Sequence, residues 1–290
     1  MKKTIKSFSI IGAGRVGLNL AAALVQKGFI LKKVSDRFYS RARKAVKIIG
    51  QGQATKSNLL AAASAEIILI SVPDCQLTEV AEEISILDYP GKFVFHTSGA
   101  FSSSVLKPLS KKGARVASLH PIQTFALTEP DPRIFKGIFF GLEGDQEAIQ
   151  LGAIMAKKLS GQVLLISAEN KPAYHLACSI ASNFLIILLN EVKNLFSPLG
   201  INEELTLEII TPLINETLHN VKKLGFEASL TGPIIRGDLE TVKRHLAVTH
   251  DQAALDRIYR AMALEALSLA KRRGLPEDKI KALRQLLAHK

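Results

Sequence analysis

The chain has 290 residues, 47% hydrophobic and 22% charged. That composition suits one large or two ordinary globular domains and excludes a disordered or low-complexity chain. The net charge of +12 invites a nucleic-acid partner. However, the lysines are spread along the chain, aromatics make up 6% and Trp is absent, so no basic patch with stacking platforms is expected and nucleic acid is excluded as a partner. A basic protein of this kind attracts small anionic ligands instead. The two cysteines, Cys75 and Cys178, lie far apart in apolar company. They read as reduced thiols of a cytoplasmic protein and are too few for a structural zinc site, so no metal is expected. No run of about 18 uninterrupted apolar residues occurs, so no membrane span is expected. The lysine-led, apolar N-terminus mimics a signal peptide, but Arg15 and Asn19 interrupt it.

In chain order, 7–11 (SFSII) reads as a short buried strand, followed by Gly12-Ala13-Gly14-Arg15-Val16-Gly17 and a helix to about Lys27. A second strand, 29–36, ends at Asp36, and a basic helix follows over 40–49. A weak segment, 51–65, precedes EIILISVPD, apolar throughout like a strand inside a parallel sheet. A helix over 76–86, strands in 92–100, 114–119 and 136–142, a helix over 145–159 and a last strand over 162–167 complete the alternation. Strand–helix alternation predicts a doubly wound α/β sheet of Rossmann type. After Ala168 the period becomes helical only, over 171–197, 202–222, 238–248, 251–273 and 276–288. The expected organisation is an α/β domain over 1–168 and an all-α domain over 169–290.

The glycine turn lies between a strand and a helix, the context that gives GxGxxG its mechanism. Gly12 permits the tight turn, Gly14 lets backbone approach a pyrophosphate, and Gly17 permits close helix–strand packing. The N–H groups from Ala13 to Val16 and the helix dipole then hold the phosphates. Asp36, 19 residues beyond Gly17, sits where an acidic side chain takes the ribose hydroxyls of NAD. Arg37 follows at once, with Arg41 and Arg43 one turn on, and these suit the extra phosphate of NADP. NADP is the expected cofactor, with NAD as the alternative and helix capping as the plain reading of Asp36. Val72, Pro73 and Asp74 end a strand at the carboxyl edge, beside the nicotinamide half of a dinucleotide, or form a turn and a cap. Ser98 and Gly99, in HTSGA, leave room for a cofactor ring. His120, at another strand end, reads either as a core histidine or as an active-site group.

KPAYHLACSIASN, 171–183, places Lys171, Tyr174, His175, Cys178, Ser179, Ser182 and Asn183 on one face of a helix with apolar flanks. A thin polar stripe of this kind is expected to face a cleft. In TGPIIRGDLETV, Asp238 with Thr241 reads as a helix cap, or Arg236 anchors a substrate carboxylate as a bidentate pair.

The N-terminal half resembles the Rossmann domains of the 6-phosphogluconate dehydrogenase-like superfamily, which includes pyrroline-5-carboxylate, ketopantoate, 3-hydroxyisobutyrate and prephenate enzymes. GAGRVG, SVPD, HTSGA, LHPIQTF, KPAYH…SN and TGPIIRGDLETV together resemble the bacterial Rossmann-like plus DUF2520 proteins over nearly the whole chain. That resemblance implies an NAD(P)-binding domain and a helical, dimer-forming domain. It also implies that Lys171 matches a proton-donating lysine at the start of the first long helix, with His175 where several relatives carry asparagine. His120, His175, Ser98, Gly99, Ser179, Asn183, Arg236 and Asp238 are then expected around a small substrate. Delivery of hydride to a C=O or C=N carbon builds negative charge on the heteroatom, and a nearby cation or acid must neutralise it. The expected activity is NAD(P)H-dependent reduction of a small carboxylate-bearing oxo or imino compound, ketopantoate first. A pyrroline-5-carboxylate-type imine reductase and a non-catalytic NAD(P)-binding regulator are the alternatives.

Overall fold

The computed structural model describes residues 5–288, which divide into two compact units that part between Phe184 and Leu185. In the first, eight strands line up in the order β3-β2-β1-β4-β5-β6-β7-β8. They are β1 (Ser7–Ile11), β2 (Ile30–Ser35), β3 (Gln53–Thr55), β4 (Ile67–Ile70), β5 (Phe93–His96), β6 (Arg115–Pro121), β7 (Phe139–Gly144) and β8 (Gln162–Leu165). Helices α1 (Arg15–Gln26), α2 (Tyr39–Ile49), α3 (Asn58–Ala63), α4 (Asp74–Ile84), α5 (Lys107–Ser110) and α6 (Gln146–Lys158) intervene, and α7 (Lys171–Ser179) follows β8. The weak segment 51–65 holds the edge strand β3 and the six-residue α3, both too short to carry a periodic signal.

Every pairing is parallel except β6 with β7. Alternation sends Ile67 and Leu69 to one face and Ile68 and Ile70 to the other, so β4 is buried on both sides. Phe8, Ile10, Leu20, Leu24, Phe95 and Phe140 build one core layer, while Ile11, Ile68, Leu77, Ile84, Tyr89 and Val94 build the other. The chain order reverses between β1 and β4, and open sheets of this kind bind ligands at the carboxyl ends of such a pair.

The all-α expectation begins at Ala168, whereas the compact units part at Phe184/Leu185. Here α7 belongs with the sheet, because Lys171 and Tyr174 bond to strand and loop residues. The expected continuous helix 171–197 also contains a π-helical turn, Ile180–Phe184, before α8 (Leu185–Phe196). Within it the Ser182 hydroxyl donates to the Cys178 carbonyl at 2.8 Å, a back-bond that competes with the helical ladder. Ala168–Leu199 is long and apolar enough to cross a membrane by length and average composition only, a test that core helices of soluble proteins also pass. Average hydropathy tolerates the scattered polar residues that break the run.

The second unit holds α8, α9 (Glu203–Leu224), α10 (Phe226–Ser229), α11 (Pro233–Arg236), α12 (Leu239–Thr249), α13 (Ala253–Arg272) and α14 (Glu277–Ala288). Its core is Ile234, Val242, Leu246, Leu267, Ile280 and Leu283, contributed by α11 to α14. By contrast α8 buries no residue, and α9 buries only Thr206 and Ile210.

Candidate active site

At the turn after β1, Gly12 adopts φ +99°, and a Cβ there would collide with the carbonyl of Ser71. A Cβ on Gly17 would strike the Gly12 carbonyl oxygen, which fixes the close approach of α1 to β1. Gly14 differs: a side chain there would meet nothing within 4 Å, so its Cα borders open space in front of α1. No side chain caps α1, which leaves a helix N-terminus facing that space, the arrangement that holds a pyrophosphate. The cradle therefore fits a dinucleotide.

One groove runs from here along the carboxyl ends of the strands. Its first part is lined by Gly12, Gly14, Asp36, Arg37, Arg41 and Val72. The Arg37 and Arg41 guanidinium carbons lie 4.9 and 4.7 Å from the centroid of the Phe38 ring, a stacking that holds two cations at this end. Asp36 is buried, and its carboxylate already accepts the Ala13 N–H at 2.9 Å and the Phe38 N–H at 2.8 Å. It ties the glycine turn to the start of α2. Gly14, Ser71, Val72 and Pro73 also line the second part, together with Arg15, Val16, Asp74, Ser98, Gly99, Gln123, Phe125, His120 and His175.

The floor of that second part is an imidazole pair. His120 and His175 stand edge to face with centroids 6.1 Å apart. Gly99 is wedged against both, since a Cβ there would lie 2.6 Å from His175 Cδ2 and 2.8 Å from His120 Cε1. His96, fully buried, holds the loop that carries Gly99. Its Nδ1 accepts the Ser98 N–H, its Nε2 lies 3.2 Å from the Ser102 carbonyl, and the Ser98 hydroxyl accepts the N–H groups of Ala100 and Phe101. Burial first, then the Lys171 charge, holds both His96 and His120 near a pKa of about 3, so both are neutral at physiological pH.

Lys171 lies beneath the groove and does not line it. Only 1% exposed, it donates from Nζ to Ser118 Oγ at 2.6 Å and to the Ser98 carbonyl at 3.2 Å. Burial brings its pKa down to about 8, against the opposing attraction of Glu143. Glu143 pairs with Ser118 across β6 and β7, and its carboxylate accepts the N–H and hydroxyl of Ser103 at 2.6 and 2.7 Å.

A model of the Rossmann-like domain matches residues 1–121, and a model of DUF2520, a domain of unknown function, matches residues 138–266. The chain belongs to the Rossmann-like plus DUF2520 proteins. Among solved structures it is similar to BF3122 of Bacteroides fragilis, provisionally named an NADP oxidoreductase, at 25% identity and TM-score 0.78 over 91% of this chain and 98% of that one. Protein TM1727 of Thermotoga maritima is 29% identical at TM-score 0.69, over 92% and 99% of the two chains. A pyrroline-5-carboxylate reductase of Coxiella burnetii, 18% identical over 97% and 99% with TM-score 0.59, shares the fold. No protein of curated function matches the sequence.

In this DUF2520 protein, the expected cofactor residues Gly12, Gly14, Arg15, Val16, Asp36, Arg37, Val72, Pro73 and Asp74 line the groove, with Ala13 and Gly17 shaping its turn. His120, His175, Ser98 and Gly99 meet at its other end. Lys171 departs from the expected cleft-facing position because its ammonium finds its acceptors inside the sheet edge. Ser179 and Asn183 do not line the groove either, and Asn183 falls in the π turn, which breaks the 3.6-residue spacing of the stripe. Arg236 and Asp238 lie in the second unit. Asp238 caps α12, accepting the Thr241 N–H at 3.0 Å and the Thr241 hydroxyl at 2.7 Å, so its carboxylate has a local structural task. Arg236 is exposed at the end of α11, just before Gly237 at φ +68°. Sequence reasoning missed Ser118, Glu143 and His96. Ser118 was legible, since it stands two residues before His120 and therefore on the same face of its strand.

Proposed function

We propose that the chain is an NAD(P)-dependent reductase acting on a C=O or C=N carbon of a small carboxylate-bearing compound. The observation that carries this reading is the single groove that joins a glycine cradle and two arginines at one end to the His120–His175 floor at the other. Arg37 and Arg41 favour NADP, because a 2′-phosphate would meet two cations where NAD would offer only hydroxyls. The names of BF3122 and of the pyrroline-5-carboxylate reductase point the same way. The nicotinamide would supply the hydride. Against the developing charge the protein sets hydrogen-bond donors on the imidazoles and the Lys171 cation beneath them.

Among substrates, a 2-oxo acid comes first, with ketopantoate as its representative. A buried ammonium stabilises an alkoxide and opposes the iminium cation that imine reduction requires, and this observation ranks the imine reading second. A cytoplasmic setting fits the reduced-thiol reading of Cys75 and Cys178.

The test is oxidation of NADPH and NADH by a panel led by ketopantoate and pyrroline-5-carboxylate, with His120→Gln beside the wild type. Turnover with NADPH that falls at least tenfold in the variant is expected. Tight cofactor binding with no turnover of any member would replace the reductase with a non-catalytic NAD(P)-binding regulator.

A second copy of this chain is the partner proposed for α8 and α9. Leu185, Ile186 and Ile187 on α8 and Leu207 and Leu213 on α9 are all exposed, a surface that monomers rarely leave to water. Sedimentation at the mass of two chains is expected, and a monomer at micromolar concentration would rule the pairing out.

A further inference from the structure

His120 and Gly141 face each other across β6 and β7. A side chain at position 141 would claim the space taken by Tyr174, since a Cβ there would lie 2.9 Å from Tyr174 Cζ and 2.8 Å from Ile166 Cδ1. The missing side chain lets a tyrosine from α7 settle on the sheet and reach the neighbouring strand. There its Oη lies 2.6 Å from His120 Nδ1, with the rings edge to face at 5.6 Å.

The order of protons follows from the two groups. Burial pushes the Tyr174 hydroxyl well above its usual range, so it keeps its proton and needs an acceptor. Its neighbours are His120 Nδ1 and the Cys178 sulfur, and an imidazole nitrogen is much the stronger acceptor. A neutral imidazole carries one hydrogen, and with Nδ1 accepting, that hydrogen is on Nε2. Among the described residues no protein group engages Nε2, which borders Gly99 at the groove floor.

We propose that Tyr174 is the positioning residue of this site: its hydroxyl fixes His120 in the Nε2–H tautomer and aims that N–H into the groove as a neutral hydrogen-bond donor. The catalytic meaning of the pair rests on the reductase reading, whereas the tautomer does not. Gly141 is part of the same device, because it gives the tyrosine its seat.

Histidine-labelled 15N spectra, with His120 assigned through His120→Gln, read the tautomer directly and need no substrate. The wild type is expected to show protonated Nε2 and accepting Nδ1. Tyr174→Phe is expected to mix the two tautomers and to lower kcat about tenfold, as loss of one buried hydrogen bond does, with KM within about twofold. Gly141→Ala, which keeps the hydroxyl but displaces it, is expected to give the same spectral change. A wild-type spectrum with Nδ1–H, or a Tyr174→Phe spectrum identical to wild type, overturns the proposal. Tautomer control without turnover of any panel compound would sink the reductase reading and leave the pair standing.

Discussion

Replacing Lys171 by Met tests whether the buried cation is a strained group. Its pKa of about 8 against an ordinary 10.5 means that carrying the charge inside the protein costs about 3 kcal/mol at neutral pH. Met fills a similar volume and loses two hydrogen bonds, to Ser118 Oγ and the Ser98 carbonyl, worth about 1 kcal/mol net apiece. The Ser118 hydroxyl still donates to the Ser98 carbonyl at 3.2 Å, so no buried polar group is orphaned. Lys171→Met is therefore expected to stabilise the fold by about 1 kcal/mol at pH 7 while reducing turnover. Between pH 8 and 10.5 the unfolded chain holds a proton that the folded chain has released. The Lys171 contribution to stability therefore rises with pH across that window, and since the buried tyrosines are common to both proteins, the advantage of Met shrinks and reverses. Urea unfolding followed by tyrosine fluorescence at pH 7 and pH 10 measures the difference. A variant destabilised by more than about 1 kcal/mol at pH 7, or an advantage that does not change with pH, would refute the reasoning.

The glycines of the first turn separate folding from binding. Gly14→Asp adds a side chain to open space and is expected to leave the melting temperature within about 2 °C while weakening NADPH binding at least 100-fold, by blocking and repelling the pyrophosphate. Gly12→Ala, at φ +99° and against the Ser71 carbonyl, is expected to destabilise the fold by about 2 kcal/mol or more, measured by urea unfolding. Acid is expected to weaken the fold through His96 and His120. Both titrate near 3 when folded and near 6.5 when unfolded, so from pH 6.5 downward the unfolded state binds two more protons and stability falls. The limiting slope is about 2.7 kcal/mol per pH unit for the pair. His120→Gln is expected to halve it, and an unchanged slope would mean that His120 is not buried neutral.

The glycine end of the groove was legible in the sequence because its shape is carried by backbone. Gly12, Gly14 and Gly17 announce a turn whose geometry follows from their spacing, and the continuous apolar run of β4 announces a buried strand. The histidine end of the groove was only half legible. Lys171, Tyr174 and His175 were visible as one polar face, but a helical stripe says nothing about which member reaches into the sheet and which faces the groove. That choice depends on Gly141 and Ser118, two strand residues whose small size matters only once β6 and β7 are paired. The antiparallel return of β7 had no local signature, and neither did the π turn that breaks the stripe after Ser179. Asp238 reads two ways in the sequence, and its bonds to Thr241 show the cap.

The antiparallel pairing of β6 with β7 also separates the imidazole pair from the loop that borders it. His120 sits inside a ladder, held by its partner strand on one side and Tyr174 on the other, so its place is set by these two elements and not by the loop residues just after Pro121. Gln123 and Phe125 belong to the connection after Pro121, yet they line the same groove. The part of that connection over 123–129 is mostly exposed, whereas Phe135 further on is buried against Phe140 of β7. A lineage, or an engineer, could retune which molecule enters by rewriting the mostly exposed residues 123–129 and leave the imidazole pair as it stands.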